Sequence, residues 1–107
     1  MKTNEIYGVF VAYADEKGGK RRPVLIQKVV ANGVRVFRIT SKYAEKSEAI
    51  KKSYFEISDW QEVGLQKPSW IDLQHEVVLS RAENFNLIGE LSQNDIEALI
   101  HFIEQNS

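Results

Sequence analysis

Residues 18–26 read GGKRRPVLI, a glycine pair and three consecutive cations followed by a proline-led apolar run. Neighbouring positive charges repel, so Lys20, Arg21 and Arg22 are costly to crowd together unless solvent or an anion offsets the repulsion. A solvated charged loop and an anion site are both open at this stage. A second stretch, ITSK at 39–42, puts Thr40, Ser41 and Lys42 at a strand end, where hydroxyls often bond their own backbone. The two stretches become interesting together. If the runs flanking Asn32-Gly33 form a hairpin, Arg22 begins one strand, Thr40 ends the next, and both lie at the same open end of the sheet. A planar guanidinium and a hydroxyl meeting from distant positions suit a phosphate.

Other side chains offer acid–base or stacking chemistry. His75 lies in WIDLQHEVVL at 70–79, where period-two alternation sends Ile71, Leu73, His75, Val77 and Leu79 to one face. There it reads as a hydrogen-bonded, half-buried residue or as an acid–base group. Trp70, Asp72, Gln74 and Glu76 take the other face. Trp70 is then either a platform for a nucleobase or part of a packing or dimer surface. The two histidines, His75 and His101, fall on different elements with no carboxylate at ligand spacing, so no metal is expected. The chain contains no cysteine, which excludes disulfides and thiolate chemistry and fits a reducing compartment.

These residues need elements to position them. Short β-branched apolar runs separated by turn signals predict strands over most of the length. A first strand covers 6–13 and a polar loop 14–20. A second strand, led by Pro23, runs to Val30, and a third spans 34–40. The polar stretch 40–52 reads as a loop with a helical turn. A fourth strand follows at 53–57, a connector at 58–68, a long fifth strand at 69–79 and a short one at 86–89. Ser92 is placed as the N-cap of a final helix, with Asp95 completing an imperfect capping box. Ile96, Leu99, Ile100 and Ile103 recur at helical spacing and predict its buried stripe. Mainly antiparallel strands closed by a C-terminal α-helix predict a small barrel of SH3-like type.

Size and charge bound the function. At 107 residues, one domain is expected. A formal charge of −1 excludes a protein basic over its whole surface, so any positive potential is local. No apolar run approaches membrane-spanning length, and a cytoplasmic location is expected.

In this order and spacing the motifs KRRPVLI, ITSK, KPSWIDL and IGELSQNDIEAL resemble the PemK/MazF family of toxin endoribonucleases. The resemblance runs from Gly8 to about Ile103, and its most specific element is the Arg-Pro-apolar run at 22–26 combined with the later threonine-serine. It implies a dimeric PemK/MazF-type barrel that cleaves single-stranded RNA without metal or cofactor. It also implies a cognate antitoxin that lies across the RNA groove. The family's active arginine falls on Arg22 and its threonine on Thr40. Ser41 and the late serine, Ser69, fall beside them, with Lys20, Arg21, Lys42, Trp70 and Gln74 as further substrate contacts. The chain departs from the pattern at Gln74, which stands nearest to the acidic residue of some members, and in a shorter loop over 14–21.

Metal-independent cleavage has three demands: deprotonation of the ribose 2′-hydroxyl, stabilisation of charge on the phosphorane, and protonation of the leaving 5′-oxygen. Arg22 suits the second, because its charge is permanent and its fork matches phosphate. A guanidinium does not serve as a base. Thr40 would donate to the phosphate and hold it in line. His75 and Asp72 are the candidate proton acceptors. A barrel that binds RNA or a peptide without cleavage, and a regulatory dimer with a merely solvated basic loop, are the alternatives.

Overall fold

A computed structural model describes residues 1–12 and 19–106, with backbone alone at 11, 12, 19 and 20; of the polar loop expected over 14–20, residues 14–18 lie outside these residues, and 19 and 20 belong instead to a strand that begins four residues before the expected start at Pro23. The strands are β1 (Glu5–Ala12), β2 (Gly19–Val30), β3 (Gly33–Thr40), β4 (Tyr54–Glu56), β5 (Trp70–Leu79) and β6 (Phe85–Glu90). Two helices, α1 (Glu48–Lys51) and α2 (Gln93–Gln105), complete the description. One six-stranded antiparallel sheet has the order β4-β5-β3-β2-β1-β6. Its hydrogen-bonded ladder ends at β4 and β6, so the sheet is open where a closed barrel was expected.

Period-two alternation gives the sheet two apolar faces. Ile6, Leu25, Ile39, Phe55 and Ile71 form the first, with Leu99 of α2 and with Ile57, Val63 and Leu91. Val9, Val24, Ile26, Val34 and Val36 form the second. Among the described residues, Tyr7, Leu79 and Phe85 pack on the second cluster, the last two at the ends of the connection that carries the chain from β5 to β6.

The β2–β3 hairpin differs by one residue from expectation. Val30 pairs with Gly33, so Ala31 and Asn32 form the turn and Gly33 opens β3 with φ +153°. A Cβ on Gly33 would run into the carbonyl oxygen of Leu79, so close approach of β5 accounts for the glycine there. Pro23 lies within β2, opposite Gly8 of β1, whereas pairing with β3 begins at Val24. It therefore occupies a position paired on one side only, where a residue without N–H is tolerated.

Two expectations for the C-terminal helix are revised. Ser92 caps α2 by accepting from the Asp95 N–H at 3.1 Å. Asp95 does not close the box; its carboxylate is fully buried and reaches across to accept from the amides of Ser58 (3.0 Å) and Asp59 (2.9 Å). The short aspartate is a tertiary tie to the segment following β4. The buried stripe is also narrower than its periodicity implied: Leu99 is buried, and Ile100 and Ile103 are 54% and 44% exposed. Sheet contact falls to Ile96, Leu99 and Phe102 because the helix presents that edge to the first apolar face.

Removing the Asp95 acceptor leaves two part-buried amides unpaired, each costing about 1–3 kcal/mol. Asp95→Ala is therefore expected to lower the thermal midpoint by roughly 10 °C or more, with the loss measured by circular dichroism melting.

Candidate functional site

Register decides which of the candidate residues can meet. Along β2 and β3 the pairs are Val24 with Arg38, Leu25 with Phe37 and Ile26 with Val36. The pairing ends at Val24–Arg38, so Arg22 and Thr40 lie two residues beyond the last pair, at the same end and on the same face by alternation. Thr40 in turn pairs with Trp70 of β5, and Trp70 with Glu56 of β4. Directly opposed residues project to the same face roughly 5 Å apart, so Thr40 and Trp70 form one row, with Arg22 on the same face at the adjoining end of β2. The next row is Val24, Arg38, Asp72 and Tyr54.

Alternation sends their neighbours to the other face. Arg21 pairs with Phe10, and its Nη1 donates to the Gly8 carbonyl at 3.3 Å. With its amide oxygen facing the guanidinium, Asn86 accepts from Arg21 Nη2 at 3.1 Å. Arg21, Ser41, Lys67 and Ser69 line a cleft of about 490 Å³ floored by Gly8, Pro23 and Ile88. The buried Ser69 hydroxyl donates to the Lys67 carbonyl at 2.8 Å. The expected constellation is therefore divided between two faces at one end of the sheet, with Arg22, Thr40 and Trp70 on one side and Arg21, Ser41 and Ser69 on the other.

Thr40 Oγ1 accepts from the Lys42 N–H at 3.0 Å. That bond occupies a lone pair and leaves the hydroxyl hydrogen to donate outward. Trp70 stacks on Tyr43, with ring centroids 4.6 Å apart and planes 9° from parallel. Lys51 Nζ stands 4.9 Å from the Tyr43 ring centroid. One face of the indole is thus already covered. Gln74 is remote from this row, in a second cleft with Phe37, Leu73 and Phe102. The Lys20 side chain lies outside the described atoms.

The largest departure from the expected strand is in β5. Between Arg38–Asp72 and Phe37–Glu76, β3 advances one residue while β5 advances four. The three extra residues, 73–75, form a bulge and reset the alternation. His75, expected with Ile71 and Leu73 on the face away from Asp72, instead places Nδ1 2.7 Å from Asp72 Oδ2. Asp72 Oδ1 accepts from the Gln74 N–H at 3.1 Å, and Arg38 Nη2 lies 3.8 Å from Oδ2. The carboxylate is 4% exposed, whereas the Arg38 and His75 side chains are each 58% exposed. Because a carboxylate only accepts, Nδ1 carries the hydrogen of this contact and the exposed Nε2 is set by default.

Tyr54, opposite Asp72, has its phenol pKa pushed above the ordinary 10.0 by burial and then by the Asp72 carboxylate, with Arg38 opposing. Arg38, Tyr43 and Tyr54 were absent from the sequence candidates. Arg38 was accessible by counting, since it precedes Thr40 by two and must share its face. Tyr43 sits in a charged loop with no periodicity to mark it.

Among the described residues, no group of three or more His, Asp or Glu side chains is arranged to hold a metal ion. No described helix is long and apolar enough to cross a membrane. No protein-family model matches this chain, and no curated protein does.

A raised phenol pKa means that the folded state holds its proton to higher pH than the unfolded chain, so the stability it contributes is lost as pH rises through the folded value. Ultraviolet titration of phenolate is expected to show a component above pH 10.0 to which Tyr7, raised by burial and Glu5, also contributes, and Tyr54→Phe is expected to reduce it by one phenol.

Proposed function

We propose that this chain is a metal-independent endoribonuclease of the PemK/MazF type, acting on single-stranded RNA in the cytoplasm and held inactive by a cognate antitoxin. One observation carries the reading: β2 and β3 pair antiparallel as far as Val24–Arg38, which leaves Arg22 and Thr40 two residues further on at the same end and on the same face by alternation, with Thr40 paired to Trp70. The surroundings support it. Arg21, Arg22, Arg38, Lys42 and Lys67 gather at one end of a chain whose formal charge is −1, which is the local positive field a polyanion requires.

In this reading Arg22 stabilises charge on the equatorial oxygens of the phosphorane, and the Thr40 hydroxyl donates to the same phosphate and aligns it. The 2′-oxygen forms its bond to phosphorus as the bond to the 5′-oxygen breaks, giving a 2′,3′-cyclic phosphate and a 5′-hydroxyl. The 2′-proton leaves to a nearby acceptor, and the 5′-oxygen takes a proton from solvent or the site. A barrel-type architecture fits the sheet because segment 58–68 spans from β4 to β6. A Cβ on Gly89 would strike the Val63 carbonyl oxygen there, so the two edges are bridged by packing. A two-fold partner fits the exposure of Val77 (39%) and Val78 (44%), beyond the point where β4 stops covering β5.

Incubating the protein with mixed-sequence single-stranded RNA in excess EDTA is expected to yield fragments with cyclic phosphate ends. Arg22→Ala is expected to lower the cleavage rate by about 10²–10³-fold. Undiminished cleavage by that variant would remove Arg22 from the reaction, and binding without cleavage by the wild type would favour a silent RNA- or peptide-binding protein.

A further inference from the structure

We propose that Arg38 and His75, braced by the buried carboxylate of Asp72, form an anion subsite for a phosphate adjacent to the one held by Arg22 and Thr40. The inference rests on the RNA reading above and adds to it a second contact point on the same strand of substrate.

Placement is the first support. Arg38 and Thr40 are alternate residues of β3, so they share a face and stand roughly 7 Å apart along the strand. Asp72 lies directly opposite Arg38, and the bulge in β5 turns His75 toward it. An extended nucleotide chain crossing the Thr40–Trp70 row beside Arg22 can therefore present its neighbouring phosphate to the next row.

The state of the two cationic side chains is the second support. If Arg38 served only to neutralise Asp72, a bidentate contact at about 2.8 Å would be expected. The observed approach is a single one at 3.8 Å, and the side chain is 58% exposed. Most of its five N–H donors point elsewhere. The close partner of Asp72 is the imidazole at 2.7 Å, which is held by one nitrogen and open at the other.

Charge supplies the third. With a neutral imidazole, Asp72 and Arg38 cancel; with an imidazolium, the group carries one net positive charge. In either state an anion between Arg38 and the imidazole meets no excess negative charge from this group. The other groups around it do not reverse this sign: Tyr54 on β4 is a phenol whose proton is held more tightly than usual, and Glu76 is paired with Arg35 of β3 at 3.2 Å.

The test is fluorescence anisotropy of the full chain with a labelled single-stranded oligoribonucleotide whose riboses are 2′-O-methylated, so that binding is read without cleavage. His75→Ala is expected to weaken binding several-fold, the loss of one hydrogen-bond donor to a charged acceptor. Arg38→Ala is expected to weaken binding roughly ten-fold and to reduce the slope of log affinity against log salt by about 0.7. Arg38→Gln provides a second variant if loss of the guanidinium unsettles Asp72, with circular dichroism checking the fold. Folded variants that keep wild-type affinity and salt slope would overturn the subsite and leave the RNA reading intact. Absence of any RNA binding by the wild type would overturn both. Unchanged binding combined with lost cleavage of unmodified RNA would make the pair a proton-transfer group and overturn the subsite.

Discussion

The antiparallel register of β2 against β3 is the constraint on which the remaining arrangement depends. With side chains alternating at period two, a slip of one residue would exchange the two faces wholesale. Were β2 to slip by one against β3, Leu25 would leave the helix-covered core, Val24 and Ile26 would enter it, and Arg21 would take the place of Arg22 on the face of Thr40. The Ala31–Asn32 turn sets the pairing of Lys28–Val30, and a bulge between Ile26 and Lys28 shifts it by one residue for Val24–Ile26. Gly33 lets the β5 carbonyl approach more closely than any side chain would permit. The apolar content of both faces then penalises any slip, because each strand would have to exchange buried valines and isoleucines for polar residues.

Within that frame, Asp72 is the most demanding side chain of the polar face. A carboxylate that is 4% exposed needs hydrogen bonds and opposite charge to offset its lost hydration. The bulge at 73–75 supplies them, folding the Gln74 amide and the His75 ring back onto its two oxygens. Regular pairing would have placed Leu73 opposite Phe37 and pointed His75 away. The bulge thus gives up regular ladder pairing over a short length and builds a rigid polar cluster beside Thr40, the kind of re-aiming for which bulges are used at functional edges.

Much of this was legible in the letters. Most strand positions, the β2–β3 hairpin to within one residue and the Ser92 cap follow from local rules: β-branched runs, turn propensity, capping preference and antiparallel geometry. What was not legible is non-local. Asp95 is a capping-box residue by spacing, yet its partners lie 36 and 37 residues away. Ile100 and Ile103 match the helical period, but the width of the buried stripe depends on how α2 is tilted on the sheet. His75 was assigned by strict alternation, and nothing in WIDLQHEVVL marks where the alternation breaks. Closure of the sheet into a barrel likewise depends on how far it curls, a sum over many pairings that no motif encodes.

The division of Arg21 from Arg22 bears on the basic run itself. Consecutive cations on one strand point to opposite faces, so their mutual repulsion is smaller than their adjacency in sequence implies. Arg21 is engaged by the Gly8 carbonyl and Asn86, which fixes it at the cleft on the helix-covered side. Arg22 projects to the row of Thr40 and Trp70 and to the neighbouring Arg38. The alternation that separates adjacent charges brings distant ones together: Arg22 and Arg38, far apart along the chain, share a face on neighbouring strands. Asp72 lies opposite Arg38 and bears on its charge rather than on that of the next residues toward the open end. A chain near neutrality overall can in this way hold a localised positive edge without basic residues distributed over its whole surface.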